Sequence, residues 1–271
     1  MNRALRVAST ASGVLLILVG LGFAVGLPAA TGLWPWTDGR LTYLFIGAVG
    51  AAAGSGLLWI GLEGEPAMFQ PFALDAVVVA LAGAVLNGLL YASRRDAVLL
   101  GAAIVGGVAA VGYLALYLWS RRFSFRDPRH TPMAVRSSFA VFVVALLLTG
   151  AALLAGVDHI FPWPLKSESS TFFGWVLLAS ALYYGYGVVR PNWDNAGPQL
   201  LAFLIYDAIL IVPFIGRFSE VTDADRPSLI VYTAVIVYSG FLATYYLLLN
   251  PDTRVWSSLV SPATDAQPRL R

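Results

Sequence analysis

Eight apolar stretches of about 20 residues divide this chain and constrain its fold more than any motif does. They cover about 8–30, 42–62, 71–91, 97–119, 137–157, 171–189, 199–217 and 228–249. A bilayer core about 30 Å thick takes roughly 20 helical residues to cross, at about 1.5 Å each. Backbone polar groups find no water inside lipid, so a crossing segment must be a helix or a strand of a closed barrel. Runs such as VLLILVGLGFAVGL lack the alternation of barrel strands. The sequence therefore predicts an all-α integral membrane protein with eight transmembrane helices. Composition agrees, since 58% of the 271 residues are hydrophobic and only 12% are charged, against roughly 25% in soluble domains.

The stretches come in two sets of four. RVASTASGVLLILVG from Arg6 parallels RSSFAVFVVALLLTG from Arg136, and LWPW at 33–36 parallels IFPW at 160–163. Phe45 and Gly47 fall on Phe172 and Gly174, LDAVVV at 74–79 on YDAILI at 206–211, and GYLALY at 112–117 on GFLATY at 240–245. Matches in the same order that include Arg, Pro, Trp, Asp and Tyr predict an internal duplication rather than chance likeness of apolar text. With an even number of helices per unit, the copies are parallel repeats about an axis along the membrane normal. The chain then reads as a first four-helix repeat over 1–120, a basic linker over 121–135, a second repeat over 136–250 and a polar tail over 251–271. Arg3 and Arg6 ahead of an apolar core ending in LPAATG resemble a cleavable signal. The copy of that segment at Arg136 predicts a retained span instead.

Eleven of the 17 Lys and Arg residues lie on the side of the N-terminus if the helices alternate in direction. The excess of basic residues on the cytoplasmic side of membrane proteins then predicts both ends inside, in a cell membrane of the prokaryotic cytoplasmic kind. Arg121, Arg122, Arg126 and Arg129 in the linker are topology anchors in this reading, held against anionic headgroups. The Pro-Trp turns, with Trp34, Trp36 and Trp163, are interfacial anchors, or else turns folded inward to shape a vestibule. Gly22 with Gly26, and Gly50 with Gly54, have the spacing of close helix packing.

Asp75 and Asp207 are the most informative residues. A carboxylate in a bilayer costs several kcal/mol unless paired, hydrated or protonated. Asp207 lies well inside its span. Asp75 lies nearer the start of its helix, where an N-terminal cap is an alternative role. The bland reading is packing glue, each carboxylate bonded to a hydroxyl or an Arg. The functional one is a pair, with Tyr206, converging on a polar cavity that binds a cation or proton. Tyr183, Tyr184, Tyr186, Tyr238, Tyr245 and Tyr246 enrich the second half in hydroxyl groups for helix contacts or a polar path.

The chain has no cysteine and only two histidines, His130 and His159, neither in the middle of an apolar run. Phosphate loops and the familiar hydrolase and metalloprotease motifs are missing. The sequence thus predicts no enzyme, no catalytic residue, no metal and no cofactor. It predicts the lipid bilayer as partner, no nucleic acid, and room for a homo-oligomer or a membrane-complex partner. Two functions fit: a small-solute or cation- or proton-coupled permease with a path between the repeats, and a non-catalytic structural or assembly subunit of a membrane complex.

Overall fold

Capping chemistry sets the helix boundaries where hydropathy leaves them vague. The computed structural model describes residues 1–255, so most of the tail expected over 251–271 lies outside the described residues. Helix α1, Arg3–Val25, opens where the Asn2 side chain accepts from the Leu5 N–H and closes at Gly26, with φ of 74°. Glycine alone adopts that left-handed conformation without strain, so α1 stops before residue 30. A single turn, Pro28–Thr31, follows. Helix α2 is Arg40–Glu63, and α3, Phe69–Arg94, is entered through a 3-10 turn at Pro66–Met68. Asp96 caps α4, Ala97–Ser120. Helices α5, Met133–Leu154, and α6, Ser167–Val189, precede α7, Trp193–Arg217. The last, α8, is Arg226–Thr244 and runs on into a π turn, Tyr245–Leu249. Among the described residues there is no strand, only an isolated bridge between His130 and Asn192.

These eight helices are long and apolar enough to cross a membrane, which supports a multi-pass membrane protein. Consecutive helices pair: α1 with α2, α3 with α4, α5 with α6, and α7 with α8. Across the pairs, α2 packs on α7 and α3 on α6, whereas α2 scarcely touches α3 and α6 scarcely touches α7. The consequence is a centre built by exchange. Neither half supplies its own neighbours there.

Glycine makes the α1–α2 pairing unusually close. A Cβ at Gly47 would stand 2.5 Å from both the Ala24 nitrogen and the Gly20 carbonyl oxygen, and one at Gly13 would stand 2.8 Å from the Gly54 oxygen. Gly13 and Gly20, like Gly47, Gly54 and Gly61, are spaced one heptad apart, the period that keeps two helices in contact along a shared seam. The expected packing pairs are therefore corrected. Gly54 joins the seam, but Gly26 is the cap of α1, Gly22 meets the Ala30 side chain, and Gly50 comes no nearer Gly20 than ordinary contact. In the α5–α6 pair, Gly150 and Gly174 face each other's carbonyl oxygens at 2.9 and 3.0 Å from a built Cβ.

At the end of the bundle that carries the N-terminus, Arg6 donates to the Gly61 and Leu62 carbonyls at 3.3 and 2.6 Å, and Arg136 to the Val188 carbonyl at 3.0 Å. Both cations thereby satisfy last-turn acceptors of the adjacent helix. The linker is bound at the same end. The backbone N–H groups of Arg126 and Asp127 both donate to Asp194 Oδ2 at 3.0 Å, and Thr131 donates to the Pro191 carbonyl at 3.1 Å. Arg126 pairs with Glu65 at 3.1 Å, while Arg129 pairs with Asp127 at 2.6 Å and lies over the Trp193 ring. Partial burial pushes the Asp127 carboxyl up, but the side-chain and backbone bonds from Arg129, with its charge, outweigh burial and hold it below the usual carboxylate range. Arg121 lies over Tyr117, and Arg122 is exposed.

At the opposite end the two Pro-Trp turns cross over. Trp36 Nε1 donates to Ser169 Oγ at 2.9 Å, and Trp163 Nε1 donates to Thr42 Oγ1 at 3.3 Å. Trp163 follows Trp36 by 127 residues, as Ser169 follows Thr42. Two aromatic triads repeat the relation. Trp34, Trp36 and Phe172 stand with ring centroids 4.9, 5.3 and 6.4 Å apart; Phe161, Trp163 and Phe45 stand 4.8, 4.9 and 6.2 Å apart. Trp36 and Trp163 are buried, at 8% and 5% exposure. They turn into the bundle rather than outward as anchors, because each indole N–H finds its acceptor on a helix of the other half.

Candidate functional site

Helix packing leaves a cavity of about 200 Å³ in the second half of the molecule, reaching across to α2 and α3. Both Asp75 and Asp207 line it, and so does Tyr206. The three residues singled out from sequence therefore share one space. Asp75 and Asp207 line it from α3 and α7, which do not pack along their length; α6 contributes Ser180, Tyr183 and Tyr184, and α8 contributes Tyr232 and Ser239.

The two carboxylates are held differently. Asp207, only 4% exposed, accepts from Ser239 Oγ at 2.8 Å through Oδ2, while its buried Oδ1 has no hydrogen-bond partner in the protein. Asp75 is half-buried, and its Oδ1 is likewise buried without a partner. The capping role weighed for Asp75 is not taken up. Met68 stands at the cap position of α3 with no side-chain bond, and Glu65 caps the preceding turn. Depth also differs: Asp75 lies within roughly three turns of Pro66, whereas Asp207 lies past the middle of α7.

Buried carboxylate oxygens normally find donors, because each unpaired one costs free energy that a hydrogen bond would recover. Two such oxygens bordering one space are acceptors presented to whatever occupies it. The walls are not the polar surface the carboxylates suggested. Phe45, Phe72, Phe142 and Phe203, with aliphatic side chains, supply most of the lining. Among the lining residues there is no Lys, Arg or His. Tyr206 places its ring edge-on to Phe45, centroids 6.1 Å apart.

A second space of about 290 Å³ adjoins the first, between α1, α2, α3, α4 and α6. Asp75, Phe45, Val49, Phe72, Val176 and Ser180 border both. Leu16 lines the second where Leu146, 130 residues later, lines the first. Asp75 thus stands in the shared wall, and Asp207 borders only the first space.

Several polar side chains that position these walls carry no motif in the sequence. Gln70 donates to the Ser120 and Phe123 carbonyls at 3.0 Å each and accepts from the Tyr186 hydroxyl, tying α3 to α4 and α6. Gln199 donates to the Tyr183 carbonyl at 2.5 Å. A Gln at the end of an apolar run is the signal available for both. Ser239, the donor to Asp207, lies among Val, Ile and Tyr with nothing to mark it. No protein-family model matches the chain, and neither does any curated protein or solved structure.

Proposed function

We propose that the chain is a small permease, coupled to a cation or proton, whose two tandem four-helix repeats enclose the site bordered by Asp75 and Asp207. The carrying observation is that both carboxylates line one cavity and each keeps a buried oxygen without a protein partner. Packing glue would have used those oxygens. The duplication gains support from contacts that recur at the sequence separations of the repeat: the crossed Trp bonds, the paired aromatic triads, the glycine contacts, and the Arg6 and Arg136 bonds. Both ends face the cytoplasm in this reading, and the bound linker, rich in Arg, lies on that side of a prokaryotic cytoplasmic membrane. Duplicated helical units that meet at a central site are a recurrent architecture of carriers.

The test is transport by the full chain in sealed vesicles carrying a pH-sensitive dye, under an imposed proton or monovalent-cation gradient. Flux above empty vesicles is the expected result, and Asp207→Asn lowers it by at least about tenfold with the same melting temperature, as loss of a buried charged partner implies. Flux unchanged in Asp207→Asn sinks the carrier reading. Stoichiometric recovery of one membrane complex, with no flux, favours the structural subunit.

A further inference from the structure

We infer that the cavity beside Asp207 is a binding site for a protonated apolar amine that enters sideways from the lipid between α5 and α8. This rests on the carrier reading and names the class of substrate. The lining decides the chemistry. A carboxylate oxygen accepts and cannot donate while ionised, so the free Oδ1 of Asp207 asks for an N–H or O–H donor. With no Lys, Arg or His along the wall, an anion has no counter-charge. Small inorganic cations need several oxygen ligands, and among the described residues no three Asp, Glu, His or Cys side chains gather closely enough to hold a metal ion. The remaining surface is phenylalanine, tyrosine and aliphatic carbon, suited to an apolar body, and the aromatic faces attract an ammonium group. For scale, an apolar cavity of about 150 Å³ takes up benzene, and this one measures about 200 Å³.

The entrance follows from exposure. Ala145 on α5 and Val231 and Val235 on α8 border the cavity and also lie on the outer surface, Val231 with 61% of its area exposed. The wall there is one side chain thick. Helices α5 and α8 do not pack along their length. They are joined at one end of the gap by the Ser138 and Tyr238 hydroxyls, 2.6 Å apart. Beyond the other end, His159 of the α5–α6 turn meets Asp225 at 2.7 Å and accepts from Ser228 through its carbonyl. Between these ties lies a window facing the apolar surroundings of the bundle, open to a molecule already dissolved in the bilayer.

The experiment compares phenethylamine, phenethyl alcohol and phenylacetate, one apolar body with three head groups, by calorimetry on the full chain in lipid nanodiscs, with empty nanodiscs subtracted. Saturable binding of phenethylamine is expected, at least about tenfold tighter than the alcohol, with no binding of phenylacetate. Asp207→Asn removes the preference for amine; Asp207→Glu, which keeps the charge, retains it and shows that the fold survives. Val231→Trp slows phenethylamine association while keeping the preference. Equal affinity for amine and alcohol, or an amine preference that survives Asp207→Asn, overturns the site, and an unchanged association rate in Val231→Trp overturns the entrance. Proton or cation flux that persists without amine binding breaks this inference and leaves the carrier intact; absence of flux breaks the carrier itself.

Discussion

The two halves of the molecule share a ground plan but are held together by different means. In the first half, α1 and α2 meet backbone to backbone along a heptad seam of glycines. In the second, Gly174 meets the flexible end of Leu154 as well as a carbonyl oxygen, and tyrosines and serines fill the space that small residues fill before. Val111 stands 128 residues before Ser239, so the first half has no hydroxyl where the second has the donor to Asp207. The lesson is a division of labour: close packing in one copy gives rigidity, and polar substitution in the other gives chemistry.

The largest test of that contrast is in the seams. Gly47→Ala forces a methyl group onto two backbone atoms at 2.5 Å, and should destabilise the chain by about 3 kcal/mol, the upper end of overpacking costs. At Gly174 the nearest atom is a Leu154 side-chain carbon at 2.8 Å that can move, so Gly174→Ala should cost roughly 1 kcal/mol. Unfolding in mixed micelles measures both, and equal costs would erase the difference between the halves. Next come the crossed tryptophans. Trp36→Phe removes a bond of 2.9 Å and should cost about 1 kcal/mol, whereas Trp163→Phe, whose bond is 3.3 Å, should cost less.

The smallest effect belongs to a contact peculiar to the second half. The hydrogen bond from Asp225, aided by the charges of Asp225 and Asp158 and opposed by slight desolvation, raises the pKa of His159 above its usual value. Gly32 stands 127 residues earlier, with no imidazole to titrate. The sign is that of a raised folded-state pKa: the stabilisation is complete below the ordinary histidine value and is lost as pH rises through the raised one. Wild type should therefore melt above His159→Gln in acid, and the gap should close as the pH becomes alkaline. A gap that does not change with pH would show that the ion pair contributes nothing.

Much of this was legible because it is one-dimensional. Eight apolar runs give eight helices, and the two carboxylates stand out against hydrocarbon. Boundaries were less legible: α7 begins at Trp193 rather than near 199 because Asn192 caps it and Asp194, Asn195 and Gln199 find partners in the fold. Polar residues read as a loop until their acceptors are known. The tryptophans misled for a related reason, since an indole at a helix end suits an interface unless a hydroxyl from a distant helix waits to receive its N–H. The apolar character of the cavity was also hidden, because which face each Phe turns inward depends on how α2 and α3 meet α6 and α7.

That exchange of neighbours has a consequence for synthesis. Helices α2 and α3 leave the ribosome long before α6 and α7 exist, and they scarcely touch each other. The first four helices can therefore form their hairpins on emergence but not their final spacing. The gap between the hairpins waits, unfilled by its own sequence, until the second copy arrives to close it. Assembly of the site is the last event in the life of the nascent chain, and a translation pause anywhere before α7 leaves Asp75 without the wall it is meant to share.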